Sequence, residues 1–397
     1  MKPVFDADRC TRCGECFHQC PVMQLPLERA KEEIGKLIDG ESSTHVLERC
    51  ESCFACDFIC PEGCNPTRLI LDRWFDLYRR EGFPKRAAYF IPHSPNNFRT
   101  DALEKLPEDE RELLRTWDDP SPRDEIFYPG CNWITVPALA RTKLLEGIAI
   151  RGSLELCCGE MYYRMGLYDQ VRQVARRLTA HFRDMGLKRM IIPCTAGLNM
   201  FTNVLPRFGA EFSFEIRHML PWLLERVESG DIAITSPFDM TGTIQESCYA
   251  KFMGDDFMEI PRKLLAKIGI SVIEEDPGRS RALCCGIGGG FSHASAFHPL
   301  NLIRSTLRSL ETARKTGADV LVTYCAGCLQ MLGAGQLYFP PARMPLYHIL
   351  ELVRMAAGEE VERESVRRGA VNMFLGTLRN QTPSLFSARR YRIKEIT

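Results

Sequence analysis

The sequence predicts a multidomain protein of mixed α+β and α/β class, in which a small helical N-terminal domain precedes two copies of one α/β module. Three observations support this fold class. The first 60 residues contain two matched runs of four cysteines, separated by a segment with helical apolar spacing. Farther along, cysteines recur twice in the same order. Each of these later units alternates short β-rich runs with helices, which is typical of a layered α/β module.

Length and composition set the broad class. The chain has 397 residues, of which 45% are hydrophobic and 26% charged, enough for two or three domains with sizeable cores. Because 51 Lys and Arg balance 51 Asp and Glu, the composition argues against nucleic acid as a partner. Residues 1–8 lack a secretory signal, and no apolar stretch approaches the length of a membrane-spanning helix. We expect a cytoplasmic protein, either free or held at the inner face of the membrane by a partner.

The 18 cysteines are clustered, which in a reducing compartment indicates metal or redox sites. Two runs have the spacing C-x2-C-x2-C-x3-C-P of bacterial ferredoxins, where the fourth cysteine of each run reaches the other cluster. The spacing predicts two [4Fe–4S] clusters, one held by Cys10, Cys13, Cys16 and Cys60 and one by Cys50, Cys53, Cys56 and Cys20. Structural zinc is the alternative, but zinc sites normally use pairs of cysteines. Cys64 lies outside both runs and is interpreted as a packed thiol.

The spacing of apolar residues predicts the remaining elements of this N-terminal part. Residues 25–38 have helical spacing, so the two cluster loops are expected to be separated by a helix and not by a small sheet. A second helix is predicted over residues 69–80, which closes a helical ferredoxin-type domain at residues 1–80. Residues 81–124 are rich in Pro, Asn and charge and are interpreted as a connector with one short helix around residues 107–117.

The rest of the chain repeats one pattern: a cysteine, then Cys-Cys-Gly, then a cysteine directly after an apolar strand. The first unit, residues 125–235, contains Cys131, Cys157, Cys158 and Cys194. The second unit, residues 236–356, contains Cys248, Cys284, Cys285, Cys325 and Cys328. Strands are predicted at residues 189–193 and 320–324, and long helices at residues 168–185 and 300–316. Residues 357–397 form a C-terminal tail, whose Arg-rich part at residues 367–397 is interpreted as solvated, with a docking segment for a partner subunit as the alternative.

These motifs resemble the CCG-domain subunits of heterodisulfide reductases and of related complexes, among them anaerobic glycerol-3-phosphate dehydrogenase and glycolate oxidase. The resemblance extends from Cys10 to about Leu332. In that family one cysteine, a Cys-Cys-Gly and a C-x2-C bind a non-cubane [4Fe–4S] cluster through five thiolates. The resemblance implies such a cluster at the complete second unit, held by Cys248, Cys284, Cys285, Cys325 and Cys328.

Two departures from the family pattern affect this expectation. The first unit has Gly197 where the fifth cysteine would stand, so it is expected to hold an ordinary cluster, zinc or nothing, and a vestigial fold partner is the favoured interpretation. Around Cys248 the family's Asp-Pro-Cys-His is replaced by Glu-Ser-Cys-Tyr, which removes a proton donor. His293 and His298 are candidate substitutes, although ordinary histidines are the simpler interpretation.

The parts together predict an oxidoreductase subunit. Ferredoxin-type clusters carry single electrons, so the chain is expected to pass electrons between a flavoprotein and a terminal acceptor within a multisubunit complex. Two alternatives remain: a catalytic disulfide reductase, and delivery of electrons to quinone. The glycines at 286–290 follow Cys-Cys-Gly and no ribose-binding acid stands at the right distance, so close backbone approach to a cluster is a better account than dinucleotide binding. Partners are therefore expected to supply flavin, nicotinamide and quinone chemistry.

Overall fold

Short helices around the two cysteine runs build the N-terminal domain of the computed structural model, which describes residues 4–183, 185–290, 298–393 and 396. Its helices are α1 (Glu15–His18), α2 (Leu27–Ile38), α3 (Thr44–Arg49), α4 (Ala55–Ile59) and α5 (Pro66–Glu81). Helix α2 buries Ala30, Ile34 and Leu37, which share one face because helical residues three and four apart are neighbours. The helix predicted between the two runs is confirmed, and residues 4–82 contain no strand.

The connector is more ordered than its composition suggests. It contains the short strand β1 (Phe83–Pro84) and the helices α6 (Phe98–Glu104) and α7 (Glu108–Trp117). The helix predicted near residue 110 is confirmed as α7, whereas α6 was not predicted. A reciprocal cap starts α6: the Asn97 side chain accepts from the Arg99 N–H at 2.9 Å, and the Thr100 hydroxyl accepts from the Asn97 N–H at 3.0 Å. The signal for α6 is therefore Asn-x-x-Thr, a weaker form of the usual capping sequence.

The first α/β module is a parallel sheet flanked by helices. Its strands are β2 (Glu125–Phe127), β3 (Ala149–Ile150), β4 (Arg189–Ile192) and β5 (Glu215–His218). The strand order is β3–β2–β4–β5, and every pairing is parallel. The helices are α8 (Gly130–Trp133), α9 (Glu160–Arg164), α10 (Tyr168–Arg183), α11 (Thr195–Asn199) and α12 (Met219–Glu228). Parallel order requires helical crossovers between the strands, which cover the sheet faces and bury the strands.

The second module repeats this topology. Its strands are β6 (Met240–Ile244), β7 (Ile270–Val272), β8 (Val320–Thr323) and β9 (Leu346–His348), in the order β7–β6–β8–β9 with parallel pairing throughout. The helices are α13 (Asp255–Lys267), α14 (Pro299–Lys315), α15 (Ala326–Tyr338) and α16 (Ile349–Ala356). The strands predicted before Cys194 and Cys325 are confirmed as β4 and β8, and the two predicted long helices as α10 and α14.

The C-terminal segment differs from the solvated tail that its composition suggests. Residues 364–381 form α17 (Glu364–Gln381), which packs along α15, and a Cβ added at Gly333 would lie 2.9 Å from Ala370 Cβ. The strand β10 (Arg390–Tyr391) pairs antiparallel with β1. Arg367 and Arg379 are exposed and Arg368 pairs with the buried Glu110, while small and apolar residues form the packed stripe, so charge counting alone concealed the helix. None of the helices that the structure describes is long and apolar enough to cross a membrane.

This packing makes a testable distinction between two neighbouring residues of α17. Met373 is 4% exposed and Leu375 is 51% exposed. Met373→Ala should lower the free energy of unfolding by about 2–4 kcal/mol, since it leaves a cavity against the core. Leu375→Ala should change it by less than about 0.5 kcal/mol. Anaerobic urea unfolding followed by circular dichroism measures both, and equal small effects would contradict an integral α17.

Candidate functional site

The cysteines of the first module lie where strands end. Cys131 follows β2 and Cys194 follows β4, and these two strands are neighbours in the sheet. From β2 the chain crosses to β3 on one side and then to β4 on the other. The gap between β2 and β4 is thus a topological switch point, the place where open α/β sheets bind ligands beyond the carboxyl ends of their strands. Cys157 and Cys158 enter the same region after β3.

The second module places its cysteines in the same way. Cys248 follows β6, the Cys-Cys pair follows β7, and Cys325 follows β8 as the residue before helix α15. Cys328 lies in the first turn of α15 and is buried. Since β6 and β8 are neighbours at the corresponding switch point, segments that are far apart in sequence bring their thiols to one crevice.

The glycine of each Cys-Cys-Gly lets the backbone turn sharply behind the thiols. Gly159 has φ +76° and Gly286 has φ +111°, a region that other residues rarely adopt. A Cβ added at Gly286 would collide with the Thr306 hydroxyl oxygen in α14. Beyond it, the Gly288 N–H donates to Cys284 Sγ at 3.2 Å. The glycine-rich segment therefore presents main-chain donors to sulfur, as iron–sulfur sites do.

The thiols of the second module are buried against one another. The pKa of Cys285 lies well below its usual range because Cys284 and Cys328 donate hydrogen bonds to it. Donating these hydrogen bonds to Cys285 raises the pKa of Cys284 and of Cys328, and burial raises both pKa values further. Cys325 is hydrogen-bonded to Cys328, and the ionised forms of Cys248 and Cys284 interact. The structure thus brings together all five cysteines that the resemblance implies; which of them bind metal stays a prediction.

The first-module thiols share a cavity with a residue from the second module. Cys131, Cys157, Cys158 and Cys194 line it, and the Cys157 and Cys131 sulfurs are 3.7 Å apart. Cys325 also lines this cavity and is hydrogen-bonded to Cys194. The two crevices are therefore adjacent, and Cys325 borders both of them. Nothing in the cysteine spacing predicted this junction, because it depends on how the two sheets pack.

The thiols of the N-terminal runs meet across the two runs. Cys10, Cys13, Cys16 and Cys60 line one small cavity, together with the buried Cys64. Burial raises the pKa of Cys16, and the nearby thiol of Cys60 raises it further.

The other set of thiols is similarly arranged. Burial and the neighbouring Cys53 raise the pKa of Cys20 to about 12. Backbone N–H groups donate to two sulfurs here: Met23 to Cys20 Sγ at 3.4 Å, and Ser52 to Cys50 Sγ at 3.3 Å. The fourth cysteine of each run thus lies near the other run, as the spacing requires.

The donor set fits iron–sulfur clusters on its chemistry. All 18 cysteines are free thiols, gathered in crevices with backbone N–H groups directed at sulfur. Thiolate ligands with such donors are what cluster sites use. Among the residues that the structure describes, no group of three or more Cys, His, Asp and Glu side chains is spaced to hold a single metal ion.

Two buried histidines occupy equivalent positions and were not predicted. His218 ends β5 and His348 ends β9, and each accepts a hydrogen bond at Nδ1 from the following helix, from the Leu220 and Leu350 N–H groups at 3.1 and 3.3 Å. Burial lowers the pKa of His218 to about 3 and that of His348 to about 4, so both are neutral. The available signal was a histidine followed by apolar residues at the same place in both repeats. Of the two histidines that were proposed, His298 caps α14 and His293 lies outside the described residues.

The second cysteine run packs directly on the second module. The ring of Phe54 lies 4.7 Å from that of Tyr249, next to Cys248. The buried Lys251 ammonium donates to the Cys53 carbonyl at 2.9 Å and to the Ala282 carbonyl at 2.8 Å. The loop that presents one set of ferredoxin-type thiols therefore borders the CCG crevice.

Comparison with known proteins identifies the family. The sequence matches a 4Fe-4S dicluster domain over residues 2–61 and a cysteine-rich domain, CCG, over residues 127–202 and 243–333. The chain belongs to the CCG-domain iron–sulfur proteins. Relatives that are themselves heterodisulfide reductase subunits confirm the resemblance drawn from the cysteine motifs.

Three relatives illustrate the range of this CCG-domain family. The D chain of the dihydromethanophenazine:CoB–CoM heterodisulfide reductase of Methanosarcina barkeri is 25% identical, over 89% of this chain and 95% of that protein. The EtfAB:quinone oxidoreductase of Syntrophomonas wolfei is 22% identical, over 84% of this chain and 56% of that protein. The probable iron-sulfur-binding oxidoreductase FadF of Bacillus subtilis is 26% identical, over 82% and 43%. This CCG-domain protein is accordingly an oxidoreductase subunit.

The crowding behind the second Cys-Cys-Gly predicts an asymmetric effect of two matched substitutions. Gly286→Ala should destabilise the protein by about 1–3 kcal/mol, because it adds strain at a positive φ and a clash with Thr306. Gly159→Ala should cost less, since its nearest neighbours are Val174 carbons at 3.1 Å or more. Anaerobic thermal unfolding measures both variants. An equal fall in Tm would show that the contact with Thr306 is not what requires glycine.

Proposed function

We propose that this chain is the iron–sulfur electron-transfer subunit of a heterodisulfide-reductase-like complex, passing electrons between a flavoprotein and a terminal acceptor. The observation that carries the proposal is the contact between the second cysteine run and the second CCG module, through Phe54 against Tyr249 and Lys251 on the Cys53 carbonyl. A redox group bound in that loop would border one bound in the crevice, with only protein between them.

The proposal assigns thirteen cysteines to three clusters. One ferredoxin-type [4Fe–4S] cluster would be held by Cys10, Cys13, Cys16 and Cys60, and the other by Cys50, Cys53, Cys56 and Cys20. The CCG cluster would be held by Cys248, Cys284, Cys285, Cys325 and Cys328. If all five of these thiolates bind, that cluster is non-cubane, as in the family. When bound, such clusters carry single electrons. The chain's own part is to bury the sites, exclude water and direct N–H groups at sulfur.

The first-run site is the proposed contact for the outside partner. Cys10 and Cys13 are partly exposed, and Arg9, Thr11 and Arg12 around them are exposed. The second-run thiols Cys50 and Cys53 are buried. Electrons would therefore enter or leave at the first run, where a flavoprotein can approach, and exchange with the CCG crevice through the second run. We place this complex in the cytoplasm, where free thiols persist.

The first module is proposed to lack the five-thiolate cluster. Gly197 stands where the second module has Cys328. Its thiols Cys131, Cys157, Cys158 and Cys194 would hold an ordinary cluster, zinc or no metal, and we favour a module kept for its fold.

A second candidate function is catalytic disulfide reduction, which is supported by the relatives named as heterodisulfide reductase chains, matched over 95–96% of their length. Two electrons and two protons would convert R–S–S–R′ into RSH and R′SH. Disulfide reduction by the isolated chain with a viologen donor, abolished in Cys285→Ala, would favour it. A third candidate function is the delivery of electrons to quinone, which is suggested by the name of the Syntrophomonas relative, EtfAB:quinone oxidoreductase.

Metal analysis tests the main proposal. Anaerobically purified protein should contain about twelve irons with matching sulfide, falling to about eight in Cys285→Ala, because one four-iron cluster is lost. Cys131→Ala is the matched control in the first module and should leave the iron content unchanged, with zinc measured alongside. About eight irons in both the parent and Cys285→Ala would contradict the CCG cluster and leave a two-cluster protein.

A further inference from the structure

Arg164 belongs to the first module, but its guanidinium group contacts the second. It is the last residue of α9, which begins directly after the first Cys-Cys-Gly, and it is only 2% exposed. One guanidinium nitrogen, Nη2, lies 3.0 Å from Cys248 Sγ in the second module. The other, Nη1, donates to the Ser52 carbonyl in the second cysteine run at 2.9 Å. One side chain therefore joins the three parts of the protein at the point where two thiol sites meet.

The guanidinium is fixed in this position from several sides. Its Nε donates to Glu160 Oε1 at 2.5 Å, one helical turn earlier. The rings of Phe54 and Tyr249 lie 4.8 and 5.0 Å from its central carbon. Arginine stays charged in proteins, and aromatic rings and carboxylates both stabilise that charge when it is buried. The cation is thus held rigidly beside the Cys248 sulfur.

We propose that Arg164 is a positioning residue that raises the reduction potential of the cluster at the second CCG site. The inference rests on the proposed function, since it requires a cluster that uses Cys248. Reduction adds negative charge to a cluster and its thiolates. A cation that donates a hydrogen bond to one of those sulfurs stabilises the reduced state more than the oxidised state. The incomplete first module then has a role beyond its own crevice, because it supplies this cation.

Glu160 makes the electrostatic role separable from a purely structural one. If Arg164 only fastens the modules together, loss of either partner weakens the interface and the two variants behave alike. If Arg164 acts on the cluster, removing its charge and removing the opposing charge of Glu160 have effects of opposite sign. A merely structural contact does not produce that reversal.

The experiment is an EPR-monitored redox titration of the full chain, purified anaerobically. The second-module signal is assigned by its loss in Cys285→Ala. Arg164→Gln should shift its midpoint potential to more negative values, Arg164→Lys should shift it less in the same direction, and Glu160→Gln should shift it to more positive values. Arg151→Gln is the matched control, because Arg151 is also a buried first-module arginine, paired with Asp119 at 2.5 Å, and should leave the potential unchanged.

The outcomes distinguish failure of the role inferred for Arg164 from failure of the proposed function. An unchanged potential in Arg164 variants that retain iron overturns this inference alone, as does a shift of the same sign in Glu160→Gln. If Arg164→Gln fails to fold or loses iron, Arg164→Lys and Glu160→Gln still decide the sign. A parent protein without the Cys285-dependent signal overturns the proposed function, and this inference with it.

Discussion

The organisation of this protein depends on one geometric constraint: parallel strands end on the same edge of a sheet. Each module collects thiols from three separate stretches of chain, and no local turn could bring them together. At the switch points between β2 and β4 and between β6 and β8 the chain leaves in opposite directions, so a crevice opens there. The cysteines recur in the same order in both modules because the two modules share this topology and each cysteine follows a strand.

Much of the architecture is readable from sequence because its signals are local. The two four-cysteine runs, the helical spacing between them, and the strands before Cys194 and Cys325 each occupy a short window. Their periodicity or spacing reflects contacts within that window. The grouping of the thiols follows the same logic, and the structure brings together the sets that the spacing and the resemblance indicate.

What sequence reasoning missed depends on contacts between distant parts. Arg164 looks like any helical arginine until the second module packs on it. Helix α17 was masked by its arginines, because one charged face outweighs a stripe of small residues in a count of composition. Cys325 borders the first-module cavity only because the two sheets adjoin. Contacts between side chains of different modules produce no periodic pattern in the sequence. They could therefore not be predicted from any short segment of it.

The pairing of β1 with β10 has a consequence for how the protein is made. Phe83 lies opposite Tyr391, so the two strands of this ribbon are far apart in the sequence and are synthesised at different times. N-terminal segments fold first during synthesis. The eight cysteines of the two runs are all present by residue 60, long before β10, which pairs with β1 of the connector, leaves the ribosome. The N-terminal domain can therefore gather its thiols early, while this ribbon closes only after residues 390–391 have been synthesised.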